Sequence, residues 1–212
     1  TLNTNHFAGG IVGWVLNNKG NIQVPFVLDN CHVKNSVITS AAEQVNGKWD
    51  NGDKVGGLIG YACFGDPNEE INAGAKISNC SVDNVSVKAY RDFAGLIGYA
   101  SHVVIENCSA DNITLEQDLT HDYKAPETPS TFGIMIGRDN GGNTVDGKAY
   151  VTDGVLEDSD ANYHILNAAG LEWVATEVNK VAAQAANIFD NKVVYLENDI
   201  DLNGAEWTPI GD

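Results

Sequence analysis

The chain has 212 residues, 43% of them hydrophobic, enough to bury one large core or two small ones and too many for a disordered chain. Its 29 acidic residues against 12 basic ones give a formal net charge of −17, a sign that repels phosphate backbones and anionic lipid and makes nucleic acid a poor partner. No run approaches the roughly 20 apolar residues of a membrane-spanning helix, so a soluble chain without a membrane span is expected.

The opening Thr1-Leu2-Asn3-Thr4-Asn5 has neither the charged nor the apolar region of a signal peptide. Starting without Met just before a repeat, the chain reads as a piece of something longer. The first repeated box is Gly10-Ile11-Val12-Gly13. It returns as Gly57-Leu58-Ile59-Gly60 and Gly95-Leu96-Ile97-Gly98, and in damaged form within Gly133-Ile134-Met135-Ile136-Gly137, where Ile134 replaces the expected first glycine. The closing glycines Gly13, Gly60, Gly98 and Gly137 lie 47, 38 and 39 residues apart.

A second box follows the first three copies: NCHVKNSVI from Asn30, NCSVDNVSV from Asn79 and NCSADNITL from Asn107. In the middle copy Cys80, Val82, Val85 and Val87 are apolar while Ser81, Asp83 and Ser86 are polar, the pattern of a short strand, an Asp-Asn corner and another short strand. Each repeat is thus expected to hold three strands. From Gly95 to Leu115 there is little room for hairpin loops, so each strand pairs with its counterpart in the next repeat. The expected fold is mainly β: a right-handed parallel β-helix of about three to four coils over residues 1–149.

Stacked coils place equivalent residues about 4.8 Å apart, which restricts corner residues to those that suit their own copies. Corner spacers project into solvent and can lengthen at little entropic cost. The recurring glycines are expected where a strand bends or the backbone approaches another layer.

At the glycine-apolar-apolar-glycine boxes and the Asn-Cys boxes that follow them, the chain resembles GLUG-motif proteins of bacterial cell surfaces. These include adhesin-like proteins of gut Bacteroidetes and immunoglobulin-A-cleaving metalloproteases. The resemblance covers Ala8 to Leu115 and more weakly Phe132 to Gly137. It implies a right-handed parallel β-helix, an extracellular or cell-surface location and a non-catalytic role in adhesion, glycan or host-protein binding, or spacing. The protease chemistry does not carry over, since no H-E-x-x-H occurs and His6, His32, His102, His121 and His164 are scattered. One alternative is the non-catalytic stalk of an immunoglobulin-A protease-like surface protein; another is a polysaccharide lyase or hydrolase built on the same coil.

From about Tyr150 a strand-helix-strand segment, residues 150–212, replaces the repeat. Asn167 can cap a helix in which Leu171, Val174, Val178 and Val181 share a face, running to about Ala186. A strand is expected at Val193–Glu197. The tail NDIDLNGAEWTPIG resembles the segment that introduces β-helical repeats in the same surface proteins. It either caps the coil stack or begins a further module.

Several residues carry candidate chemistry. Cys31, Cys80 and Cys108 share one box position and should form an inward column, as free buried thiols, as one disulfide or, lacking clustered partners, least readily as a metal site. Trp14, Tyr61 and Tyr99 follow the last glycine of their boxes. Facing outward, these three stacked rings would suit the apolar face of a sugar; with apolar residues on both faces of the strand, burial is the stronger expectation.

His32, Ser81 and Ser109 form an outward column beside Lys34, Asp83 and Asp111. Two carboxylates on adjacent rungs are how β-helix polysaccharide enzymes assemble acid and base, whereas Asp-Asn at a strand corner serves turn geometry. Asp50-Asn51-Gly52-Asp53 and Asp139-Asn140-Gly141 are oxygen-rich enough for calcium without the spacing of a calcium loop. No other cofactor is implied. The pair His121-Asp122 lies in a spacer with Pro126 and Pro129 and reads as surface loop. The Asn-x-Ser/Thr sequons at Asn79, Asn84, Asn107 and Asn112 are products of the repeat.

Overall fold

The computed structural model describes residues 1–4, 6–16, 25–45, 48–64, 74–119, 131–180, 188–202 and 204–211, without the side chains of residues 42–51. Two compact units result, Thr1–Asp146 and Gly147–Asp212.

The first unit consists of parallel strands that recur in a fixed order. Ala8–Gly9, Asp53–Gly56, Arg91–Ala94 and Phe132–Gly133 form one sheet, and Val12–Leu16, Ile59–Cys63, Ile97–Ser101 and Ile136–Asp139, the box strands, form the next. Phe26–Asp29, Ala75–Ser78, Val103–Glu106 and Thr144–Val145 lie side by side in a third layer. Leu2–Thr4, His32–Ser40, Ser81–Ala89 and Ser109–Gln117 complete the fourth. The pairing register is the sequence repeat itself: Ile59 lies beside Val12 and Ile97, and Ser81 beside His32 and Ser109. The stacked parallel sheets are compatible with a β-helix. An antiparallel hairpin, Ala42–Val45 with Lys48–Asn51, projects from one spacer.

Each of the first three repeats holds four strands where the box pattern suggests three. The Asn-Cys box is one nine-residue strand rather than two, bent at Asn35, Asn84 and Asn112, whose φ values of 51°, 52° and 52° are left-handed. A second left-handed column, Asn30, Asn79 and Asn107 at 53°, 54° and 50°, turns the chain into that strand. Asparagine accepts this conformation more readily than other residues with a Cβ, which explains why both positions keep it. The strands before these corners have their own alternation, Phe26 and Leu28, Ala75 and Ile77, Val103 and Ile105, with one side turned inward.

Close approach, not dihedral freedom, demands the closing glycines. A Cβ on Gly60 would lie 2.5 Å from the Gly13 carbonyl oxygen and 2.6 Å from that of Lys54; on Gly98 it would lie 2.4 Å from the Val55 amide nitrogen and 2.7 Å from the Gly60 oxygen. The box strand therefore packs backbone to backbone on the neighbouring sheet. Leu58, Ile59, Leu96, Ile97, Ile77 and Ile105 are fully buried around these contacts.

The second unit has Lys148–Thr152, Val155–Glu157 and Tyr163–Ile165 pairing antiparallel in turn, and Val194–Leu196 joining Tyr163–Ile165 in parallel. Three strands thus precede the helix where one is expected. The helix spans Ala168–Lys180, and the Gly170 N–H donates to the Asn167 side chain at 3.0 Å, the expected cap; residues 181–187 lie outside the described residues. Val174 packs on Val155, Tyr163 and Ile165, with Leu171, Trp173, Val178 and Phe189 around them.

Gly98→Ala should cost about 2 kcal/mol or more, because a methyl cannot enter a backbone contact without shifting two layers. Gly141→Ala, with open space around it and φ of +86°, should cost about 1–2 kcal/mol from dihedral strain alone. Urea midpoints checking both variants should fall in that order.

Candidate functional site

Four rungs converge on one aromatic column. Trp14, Tyr61 and Tyr99 are register neighbours, with Arg138 beside Tyr99. Phe7 stacks on Tyr61 at 5.3 Å between centroids and meets Trp14 edge-on at 5.8 Å, while Tyr61 and Tyr99 lie 4.8 Å apart. Burial was the stronger expectation for this column, but Trp14 is 58% exposed and Tyr61 and Tyr99 are half-buried. Their partial burial pushes both phenols above their ordinary range, with Cys63 adding to the effect at Tyr61. The Phe7, Tyr61 and Tyr99 rings turn their faces toward one another. A track of three open faces is therefore not formed; the open indole is Trp14.

The charges flanking this column come from a recurring doublet before the box, Asp53-Lys54 and Arg91-Asp92. Asp53 and Asp92 are 3% and 1% exposed, and each is paired with a cation from the following rung. Arg91 Nη2 donates to Asp53 at 3.1 Å and Arg138 Nη1 to Asp92 at 3.2 Å. Asp92 also accepts from the Thr131 hydroxyl at 3.2 Å. Lys54 pairs with Asp53 and holds its ammonium 5.0 Å from the Phe7 ring centroid, a cation–π position. These doublets do not stand out as a sequence motif because their order reverses between copies, although their offset from the box is constant.

The cysteines form a thiol ladder. Cys31 N–H donates to Cys80 Sγ and Cys80 N–H to Cys108 Sγ, both at 3.4 Å, while each thiol donates to a carbonyl two residues earlier: Asp29 at 3.4 Å, Ser78 at 3.1 Å and Glu106 at 3.3 Å. All are free, Cys80 is buried, and Cys31 and Cys108 are partly covered. Burial raises the Cys80 thiol and pushes Cys108 up to about 11.

Asparagines bond along the same stack: Asn84 donates to Asn35 and Asn107 to Asn79, each at 2.7 Å, and Asn79 donates to Asp29 at 2.8 Å. The Ser78 hydroxyl and the Asn79 amide hold the Asp29 carboxyl below its ordinary range. His32 meets the Ser81 hydroxyl at 2.8 Å. Asp83 lies beside both Lys34 and Asp111 in register and accepts from the Asn112 amide at 2.9 Å, so one of its oxygens serves the corner.

Asp139 accepts the Gly141 N–H at 3.1 Å and the Asn143 side-chain amide, which spends its carboxylate on the turn. Asp53 is committed to its two cations, and the Asp50 and Asn51 side chains and His121-Asp122 lie outside the described residues. Among the described residues no three His, Cys, Asp or Glu side chains gather as metal ligands, and no helix is long and apolar enough to cross a membrane.

In the second unit, the His164 ring lies between Glu197 at Nδ1 and Asp158 at Nε2, 3.2 Å from the latter, and stacks on Tyr195. The Asn162 N–H first, then the His164 ring and the Asp160 N–H, bring the Asp158 carboxyl down to about 2. A cleft of about 410 Å³ is lined by Glu172, Thr176 and Lys180 of the helix and by Leu202 and Trp207. Comparison with protein-family models, curated proteins and solved structures finds no match to this chain.

Cys80→Asp should unfold the first unit at a cost of several kcal/mol, since a charge would enter a dry column; thermal melting identical to the parent would show the column facing water. With its thiol at about 11, Cys108 should present roughly a hundredfold fewer thiolates at pH 8 than an ordinary cysteine, measurable as slow alkylation. A raised thiol pKa stabilises the fold below the ordinary value of 9.0, and this contribution should fade as pH rises from there to about 11.

Proposed function

We propose that this chain is a non-catalytic, extracellular module of a GLUG-type bacterial surface protein: a right-handed parallel β-helix of three to four coils, serving as a rod whose outer face binds a glycan or host protein. The observation that supports this reading is the coincidence of sequence repeat and rung register, in which recurring polar residues bond their own copies. Asn84 bonds Asn35 and Asn107 bonds Asn79, while the Cys80 and Cys108 sulfurs accept the backbone N–H of the cysteine on the rung before. Selection for such ladders is selection for an extended, regular body.

The binding face is the aromatic column. Trp14 offers an exposed indole, while the neighbouring Arg91 and Arg138 are neutralised by Asp53 and Asp92. A flat apolar surface beside balanced charges suits a neutral sugar ring better than an anionic one. A second reading, a polysaccharide lyase or hydrolase, draws on one observation, the adjacency of Asp83 and Asp111 in register.

A glycan array run beside a depolymerisation screen separates the two. Binding to a neutral glycan without turnover, weakened at least tenfold by Trp14→Ala, is the expected outcome. Chain cleavage that disappears in Asp83→Ala or Asp111→Ala would replace the binding module by an enzyme.

A further inference from the structure

His32, Ser81 and Ser109 are register neighbours at the start of the three nine-residue strands, so the column runs from an imidazole to two hydroxyls. The His32 ring lies between two partners. Its Nδ1 meets the Ser81 hydroxyl at 2.8 Å and its Nε2 meets Asn30 Oδ1 at 3.1 Å. A carboxamide oxygen only accepts, so in the neutral ring Nε2 carries the proton and Nδ1 turns its lone pair to Ser81. The hydroxyl therefore donates to a base whose tautomer a third group fixes, which is the arrangement of an activated serine.

The stack holds this geometry in place. Asn30 is a left-handed corner, with φ of 53°, whose backbone N–H donates to the Ser78 carbonyl at 3.0 Å. His32 is exposed and Ser81 half-buried, so the pair is reachable from solvent. Two features limit what it can do. The Ser81 N–H donates to the Cys31 carbonyl at 3.0 Å and the Ser109 N–H to the Cys80 carbonyl at 3.1 Å, so neither is left to hold an oxyanion. Asp83 and Asp111, two residues along on the same face, outnumber Lys34 in their column. Developing negative charge is thus poorly stabilised, which restricts the serine to acyl groups with good leaving groups and makes hydrolysis of the resulting ester slow.

We propose that Ser81 is an acyl acceptor: with His32 as general base and Asn30 as positioning residue, it takes an acyl group from an activated ester and keeps it. Ser81 Oγ bonds to the carbonyl carbon as its proton passes to His32 Nδ1. The ester C–O bond then breaks, and the leaving oxygen takes that proton from the imidazole. Ser109 has a hydroxyl in the same column but a serine rather than a histidine on the preceding rung, so it is the internal control. This inference goes beyond the glycan reading and does not involve Trp14; a single covalent modification without turnover leaves the module non-catalytic.

The test adds p-nitrophenyl acetate to the full chain. A single equivalent of nitrophenolate per chain should be released and release should then stop, with the acetyl group mapped by mass spectrometry to Ser81 and removed by hydroxylamine. Ser81→Ala should abolish the release, whereas Ser109→Ala and Trp14→Ala should leave it unchanged. His32→Gln, which keeps a polar side chain but offers no ring base, should slow it by roughly a hundredfold, the lower end for a positioned general base. Asn30→Ala should slow it as well and Asn30→Asp should restore it at unchanged melting temperature, because a carboxylate fixes the same tautomer. Acetyl groups on Ser81 and Ser109 alike, or on lysines only, overturn the proposal. Release that continues past the first equivalent overturns it in favour of a hydrolase.

Discussion

The first unit depends on one constraint: parallel strands in register hold equivalent residues at strand spacing, so every side chain has its own copy as a neighbour. A lone polar residue would be expensive in such a column, but a repeated one becomes its own partner. Asn84 and Asn35 show this, each left-handed and joined by a side-chain hydrogen bond. The thiols show it in a drier setting, where each amide of one rung finds the sulfur of the next.

The same constraint explains the glycines. Each box is pinned between its own coil and its neighbours, with backbone atoms where a methyl would be, and the requirement passes from rung to rung. Among the described residues no following rung pairs beyond Phe132–Gly133 in the sheet of Ala8–Gly9, and Ile134 replaces glycine at the adjoining box position. A break in a sequence pattern thus marks a structural boundary. At the opposite end the letters are intact and Ile11 is exposed.

The second unit follows other rules. Its helix is held by a side-chain cap and an apolar face against a short mixed sheet, and its tail is strapped by Asn179, which donates to the Pro209 carbonyl at 3.0 Å and accepts the Gly211 N–H at 2.7 Å. His164 between Asp158 and Glu197 ties the last strand to the preceding turn. None of these contacts repeats, so none had a sequence period to announce it.

The sequence by itself determined the periodicity, the parallel register, the cysteine and asparagine columns and the capped helix, because stacking forces matching letters into contact and a helix cap is local. It under-counted the strands, since Asp53–Gly56 and Ala75–Ser78 lie outside the repeated boxes, although the bend at Asn84 read as a break between two. Only the tertiary structure decided that the Trp14 column opens to solvent, that Asp53 and Asp92 lie buried against cations of the next rung, and that Ile11 is wet while Leu58 is dry. Exposure depends on which neighbour is present above or below, and a strand's own letters carry no record of that.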